Sequence, residues 1–153
     1  MFTVKDLMTS EVVTADPDDT VAEVIALMVR HRVNGLPVVD MPGRLIGIVT
    51  DYDLLDLMDD PEAASSPIYL HMTREIQTVD EEDELSDVAR LFRRLPVRRL
   101  PVLRDGRLVG IISRRDVLCC VAETHVYLHP ASPPFSAPQF CRSQLRRREH
   151  GRP

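Results

Sequence analysis

Two pairs of residues have types and spacing that could do chemistry: Thr50 with Asp53 in the stretch GIVTDYD, and Ser113 with Asp116 in GIISRRD. An ionised carboxylate accepts several hydrogen bonds at once, so it can receive both hydroxyls of a cis-diol. A hydroxyl placed just before a helix can cap it and leaves nearby amides turned toward an incoming anion. A plainer role uses the same atoms, since an acid in a helix's first turn stabilises the dipole by about 0.3–1 kcal/mol. The copies differ between the hydroxyl and the acid, with Arg114-Arg115 in one and Asp51-Tyr52 in the other. A second carboxylate facing an anion repels it unless a cation compensates. The two sites are therefore expected to be unequal. Tyr52 either stacks on a flat ligand or covers apolar surface.

These stretches belong to a longer internal repeat. Residues 4–58 laid over 68–121 align Met8-Thr9 with Met72-Thr73 and Val13-Thr14 with Gln77-Thr78, both at an offset of 64. Leu36-Pro37-Val38 and Leu100-Pro101-Val102 share that offset, whereas GRLIGIVT and GRLVGIIS align at 63. One extra residue in the first copy therefore falls near Met41-Pro42. So many landmarks in one register, with a single gap, establish a duplication.

Each copy predicts the same elements. A short extended segment, Glu11 to Thr14 or Glu75 to Thr78, leads into an acidic cluster, DPDDT or DEEDE, that suits a helix N-terminus. Apolar residues at three-and-four spacing follow: Val21, Val24, Ile25 and Met28, then Leu85, Val88, Leu91 and Phe92. Each set makes one core-facing stripe. LPVVD or LPVLR, a glycine-containing turn, and LIGIVT or LVGIIS make a strand pair. DYDLLDLM and RRDVLCCV are then short helices with Asp53 and Asp116 in their first turns. One unit is β-α-β-β-α, and about 55 residues bury too little surface to be comfortable alone. The expected fold class is α+β, two such repeats packed with pseudo-twofold symmetry. Its expected divisions are a first repeat over 1–60, a linker over 61–67, a second repeat over 68–123 and a tail over 124–153.

Composition narrows the classes. The chain has 153 residues and a formal net charge of −5, but the last thirty residues hold five arginines against one glutamate. An acidic body disfavours nucleic acid, whose phosphates need clustered cations. No apolar run approaches the roughly 20 residues that cross a bilayer, and the start MFTVKDLMTSEV lacks a secretory pattern. Cytoplasmic localisation with no membrane partner is expected. Cys119, Cys120 and Cys141 are odd in number and two are adjacent, which predicts reduced thiols rather than a disulfide framework. No zinc-type spacing is found, and His125 with His129 lies among helix breakers. The tail, from Thr124, holds five of the 12 prolines and is expected to be disordered or loosely attached. Its RSQLRRRE stretch could form a short basic helix against an anionic surface. Glycine-rich phosphate loops and a GxSxG elbow are missing, and His31 and His71 are isolated, so neither catalysis nor a metal site is expected.

The tandem β-α-β-β-α repeat, with LPVVD, a turn and GIVTxxD, closely resembles a pair of CBS domains, the Bateman module, over about residues 3–121. The resemblance implies a regulatory binding module, usually dimeric, whose clefts take AMP, ADP, ATP or S-adenosylmethionine, magnesium being an open question. No cofactor is required; the adenosine nucleotide is the regulatory ligand. By the same resemblance the motif's acid binds ribose hydroxyls, its hydroxyl approaches phosphate, and residues around the LPV strand and first short strand wall the adenine. Carried onto this chain, the favoured cleft holds Ile76, Thr78, Arg99, Leu100, Pro101, Ser113, Arg114, Arg115 and Asp116. The other holds Val12, Thr14, Asn34, Gly35, Leu36, Pro37, Thr50, Tyr52 and Asp53. Family members often carry a basic residue just before the acid, as Arg115 is here and Tyr52 is not. Arg98 and Arg99, with Arg93 and Arg94, either form a solvated helix end or add positive potential near the second cleft. With no catalytic or membrane domain attached, the effector is expected to be a separate protein. The competing expectation is a ligand-free dimerisation module with degenerate clefts.

Overall fold

The computed structural model describes residues 2–128, with side chains through Ala122. In chain order the elements are α1 (Val4–Leu7), α2 (Val21–His31), β1 (Gly35–Val39), β2 (Leu45–Thr50), α3 (Asp51–Leu55), β3 (Val79–Asp80), α4 (Leu85–Arg94), β4 (Arg99–Arg104), β5 (Arg107–Ser113) and α5 (Arg114–Leu128). Two short 3-10 turns, Ala63–Ser65 and Ile68–Leu70, lie between α3 and β3. The class is α+β.

Local chemistry explains where the long helices begin. The Thr20 hydroxyl accepts the Glu23 N–H at 3.2 Å while the Glu23 carboxylate accepts the Thr20 N–H at 2.8 Å, a reciprocal cap ahead of α2. Val21, Val24 and Met28 turn inward, and Arg32 ends the helix with φ of 53°. α4 buries Leu85, Val88 and Phe92 and finishes on Arg93 and Arg94, cations suited to a helix C-terminus.

Both strand pairs form at the predicted places. β1 and β2 run antiparallel, with Gly35 opposite Thr50 and Pro37 opposite Ile48. β3, β4 and β5 make a three-stranded sheet in that order. Asp105 and Gly106, with φ of 52° and 76°, form the two-residue hairpin between β4 and β5, the conformation that Asp-Gly favours.

Three expectations need correction. The short strands do not occupy 11–14 or 75–78: pairing begins one residue later, with Ala15 and with β3 at Val79–Asp80. Ala15 donates its N–H to Pro37 O at 2.9 Å and accepts from Val39 N–H at 3.0 Å, so its ladder is built around Val38. Secondly, the tail does not begin at Thr124 as irregular chain, because α5 continues to Leu128. The five prolines of the tail, RSQLRRRE, His129 and Cys141 lie outside the described residues. Thirdly, the cysteines are not uniformly reduced: Cys119 is disulfide-bonded.

By contact the chain forms two units. One comprises 11–78 with 103–109; the other takes the described residues of 1–10, 79–102 and 110–128. The first has a core of Ala15, Val21, Val24, Met28, Leu36, Val38, Val49, Leu54 and Ile68. In it, Ile48 and Thr73 exchange both backbone hydrogen bonds, at 2.9 and 2.8 Å, and Val21 N–H reaches Ser66 O at 3.0 Å. In the second, Thr9 and Ile111 exchange theirs, both at 2.9 Å, and Val4 N–H reaches Asp83 O at 2.9 Å. Each copy's leading Met-Thr segment thus completes the other copy's sheet. Lys5 adds an exposed ion pair to Glu82 at 2.6 Å, which holds its ammonium above the usual range chiefly through that hydrogen bond.

This exchange explains the glycine in each GIVT or GIIS strand. A Cβ on Gly110 would lie 2.9 Å from Thr9 O and 3.0 Å from Met8 Cγ, and one on Gly47 would run into the Met72 side chain. The strands have room for a methionine across them only because nothing projects from their own backbone there.

Candidate functional site

The acids of the hydroxyl-x-x-Asp pairs sit where strand becomes helix. Thr50 closes β2 and caps α3; its hydroxyl accepts the Asp53 N–H at 3.3 Å. In return Asp53 Oδ2 accepts both the N–H and the hydroxyl of Thr50, each at 3.0 Å. Ser113 and Asp116 repeat this at the start of α5: Asp116 Oδ2 accepts the Ser113 N–H at 2.7 Å and its hydroxyl at 2.8 Å, and Ser113 Oγ accepts the Asp116 N–H at 3.2 Å. The capping role is therefore real in both copies. It uses only one carboxylate oxygen. Oδ1 of each acid receives no hydrogen bond among the described residues, and both acids are half-buried.

Each motif is pinned to the residue before its LPV strand. Asp51 N–H donates to Asn34 O at 2.9 Å, and Arg114 N–H donates to Arg98 O at 3.0 Å. In the first-copy unit this gathers exposed Asn34, half-buried Gly35, Thr50 and Asp53, and exposed Tyr52 at one end of the β1–β2 pair. Val12 and Thr14 are half-buried in that unit. In the second-copy unit, exposed Arg99, Arg114 and Arg115 accompany half-buried Ser113 and Asp116. Ile76 and Thr78, half-buried, group by contact with the first-copy unit rather than with Ser113 and Asp116. Leu36 and Leu100 are 1% exposed, and Pro37 and Pro101 are buried, so the structure does not offer these four residues on an open surface.

The charges around the motifs are unlike. Arg114 Nη2 donates to Leu95 O, the residue that ends α4, at 3.2 Å. Arg115 is exposed and makes no hydrogen bond among the described residues. At the same place in the first copy, Asp51 Oδ1 accepts the Tyr52 N–H at 2.8 Å, and Tyr52 is exposed. Among the described residues no group of three or more His, Cys, Asp or Glu side chains could hold a metal ion, and no helix is long and apolar enough to cross a membrane.

The residue reading missed the docked Met8-Thr9 and Met72-Thr73 segments. Their signal was present: the pair recurs at the 64-residue offset, with a methionine matched in each copy to a strand glycine.

Comparison with known proteins bears on this geometry. The family model of the CBS domain matches residues 4–60 and again 66–123. The chain is 35% identical over 114 residues to an inosine-5'-monophosphate dehydrogenase of Methanocaldococcus jannaschii, a match that takes in 74% of this chain but 22% of that protein. It is 34% identical over 118 residues to the CBS domain-containing protein YhcV of Bacillus subtilis, covering 76% of this chain and 84% of YhcV. Among solved structures, CBSX2 of Arabidopsis thaliana in complex with AMP is similar with a TM-score of 0.73 and 33% identity, over 81% of this chain and 98% of that one. The CBS domain pair of MJ0100, in complex with 5'-methylthioadenosine and S-adenosyl-L-methionine, is similar with a TM-score of 0.68 and 27% identity, over 80% and 98% of the two chains.

Proposed function

The chain belongs to the CBS-domain family, carrying two copies of the domain, and from that premise we propose that it is a regulatory module binding an adenosine nucleotide. The observation that carries this reading is the divided use of the motif carboxylate. Asp116 caps its helix with Oδ2 and keeps Oδ1 as an acceptor. An ionised oxygen held rigidly by its own cap is prepared to take hydroxyl hydrogens of a ribose, with little ordering left to be done on binding. Ser113 and exposed Arg115 lie beside it to receive a phosphate. The crystallised complexes of CBSX2 with AMP and of MJ0100 with adenosine sulfonium and thioether compounds support the ligand class.

The module acts without catalysis, as a cytoplasmic homodimer whose nucleotide alters its fit to a protein effector. That signal requires different nucleotide affinities in two arrangements of the protein. The Ser113–Asp116 site is the stronger, because the first copy places Asp51 where the second has Arg114. A thermal-shift panel of AMP, ADP, ATP and S-adenosylmethionine tests the reading. A ligand at a hundredfold excess over its dissociation constant stabilises the folded state by about 2.7 kcal/mol, and at least one of the four is expected to raise Tm. A flat response to all four favours the ligand-free interaction module.

A further inference from the structure

Three arginines meet at the turns that join the strand pairs, all within the unit of 11–78 and 103–109. Arg44 and Arg107 are the aligned arginines of GRLIGIVT and GRLVGIIS, and the fold pairs them directly in an antiparallel bridge. Beside that bridge, Leu108 N–H donates to Gly43 O at 3.2 Å. Arg104 and Arg107 flank the Asp105-Gly106 turn, so they stand opposite each other where β4 gives way to β5. Directly opposite side chains project from one face, with Cβ atoms about 4.5–5.5 Å apart. Arg104, Arg107 and Arg44 therefore form a row across three successive extended segments, and all three are exposed.

Like charges so placed repel. Among the described residues Arg44 and Arg107 make no ion pair and no side-chain hydrogen bond. Two carboxylates lie near in sequence: Asp40, whose Oδ1 accepts the Arg44 N–H at 3.1 Å, and exposed Asp105. Three cations against two acids leave the row positive. It is separate from the hydroxyl-x-x-Asp motifs. Arg44 precedes β2 and Thr50 ends it, about 20 Å apart along an extended strand. Arg107 likewise opens β5 and Ser113 closes it.

A guanidinium presents a planar fork of N–H donors that matches phosphate oxygens two at a time. Forks set in steps of about 5 Å give a single phosphate one partner and give a phosphate chain successive ones. We propose that Arg104, Arg107 and Arg44 bind an oligophosphate, whose negative charge replaces repulsion along the row with charge-assisted contacts. That chemistry is shared by inorganic tripolyphosphate and by the phosphate tail of a nucleoside triphosphate. The site stands independently of the nucleotide reading at Asp116.

Amide NMR of the isotope-labelled full chain tests it, with tripolyphosphate, ATP and hexaglutamate titrated separately at constant ionic strength. Tripolyphosphate is expected to move the Gly43, Arg44, Arg107 and Leu108 amides saturably. Arg44→Gln and Arg107→Gln each weaken that binding about tenfold or more, as a charge-assisted contact is lost, with circular dichroism confirming that both variants are folded. ATP that moves the same four amides makes the nucleotide tail a source of the ligand. ATP that moves only the amides around Ser113 and Asp116 leaves the inorganic chain as the source, and the row stands in either case. No saturable movement with tripolyphosphate, or affinity that both substitutions leave intact, overturns the proposal whatever happens at Asp116. Hexaglutamate bound as tightly as tripolyphosphate overturns the phosphate class.

Discussion

Asp53 and Asp116 each cap a helix with one oxygen, the proposed function gives the other oxygen to a ligand, and side-chain replacements can separate those two roles. Alanine removes both, so Asp53→Ala and Asp116→Ala should each cost about 1 kcal/mol of stability in urea unfolding, the usual value of a lost helix cap. Asparagine keeps a carbonyl oxygen for the cap and substitutes an amide NH2 for the free acceptor. If the clefts are unequal, Asp116→Asn lowers AMP affinity measured by calorimetry far more than Asp53→Asn; equal losses count against the asymmetry. The strand glycines give a second contrast. A methyl on Gly110 meets a backbone carbonyl, Thr9 O, whereas one on Gly47 meets the Met72 side chain, which has rotatable bonds to give way. Gly110→Ala should therefore destabilise by about 1–3 kcal/mol and Gly47→Ala by less, an order that urea unfolding can reverse or uphold.

At the level of elements, periodicity made most of the architecture legible. Val21, Val24 and Met28, or Leu85, Val88 and Phe92, announce a buried helix face because only one stripe of a helix can reach a core, but Ile25 and Leu91, expected in the same stripes, lie at its margin, Ile25 exposed and Leu91 half-buried. The Asp-Gly turn and the hydroxyl-x-x-Asp caps were legible for the same reason: each is a local interaction encoded within four residues. What the residues did not reveal is long-range. No local rule sends Met8-Thr9 to Ile111 or Met72-Thr73 to Ile48, about a hundred and about twenty-five residues apart in sequence. The short strands were misplaced by one position for a related reason, since Ala15 pairs through hydrogen bonds to Pro37 and Val39 that a local reading cannot see. The exchange has a measurable consequence. Removing residues 1–9 takes away buried Val4 and Met8 and unpairs Ile111 from Thr9. Truncation should cost several kcal/mol, on the scale of about 2–5 kcal/mol for emptying one large buried site, and should speed amide exchange at Ile111. Unchanged protection there would contradict the docking of that segment.

For the whole molecule, duplication supplies two similar motifs and sequence divergence makes them unlike. Arg114 and Arg115 stand opposite Asp51 and Tyr52 in the alignment, so one fold presents an anion-friendly motif and an anion-averse one. Such a difference suits a sensor whose output depends on which site is filled, because a ligand shifts an equilibrium only through differential affinity. The central claim, that Asp116 holds a nucleotide with the oxygen its cap leaves free, has a direct measurement. AMP is titrated calorimetrically into the unmodified chain and into Asp116→Asn, with urea unfolding of both. The account predicts saturable binding to the unmodified chain, affinity at least about tenfold weaker in the variant as a charge-assisted contact is lost, and nearly equal stabilities. Absence of binding to the unmodified chain, or AMP affinity that Asp116→Asn leaves intact, would contradict it.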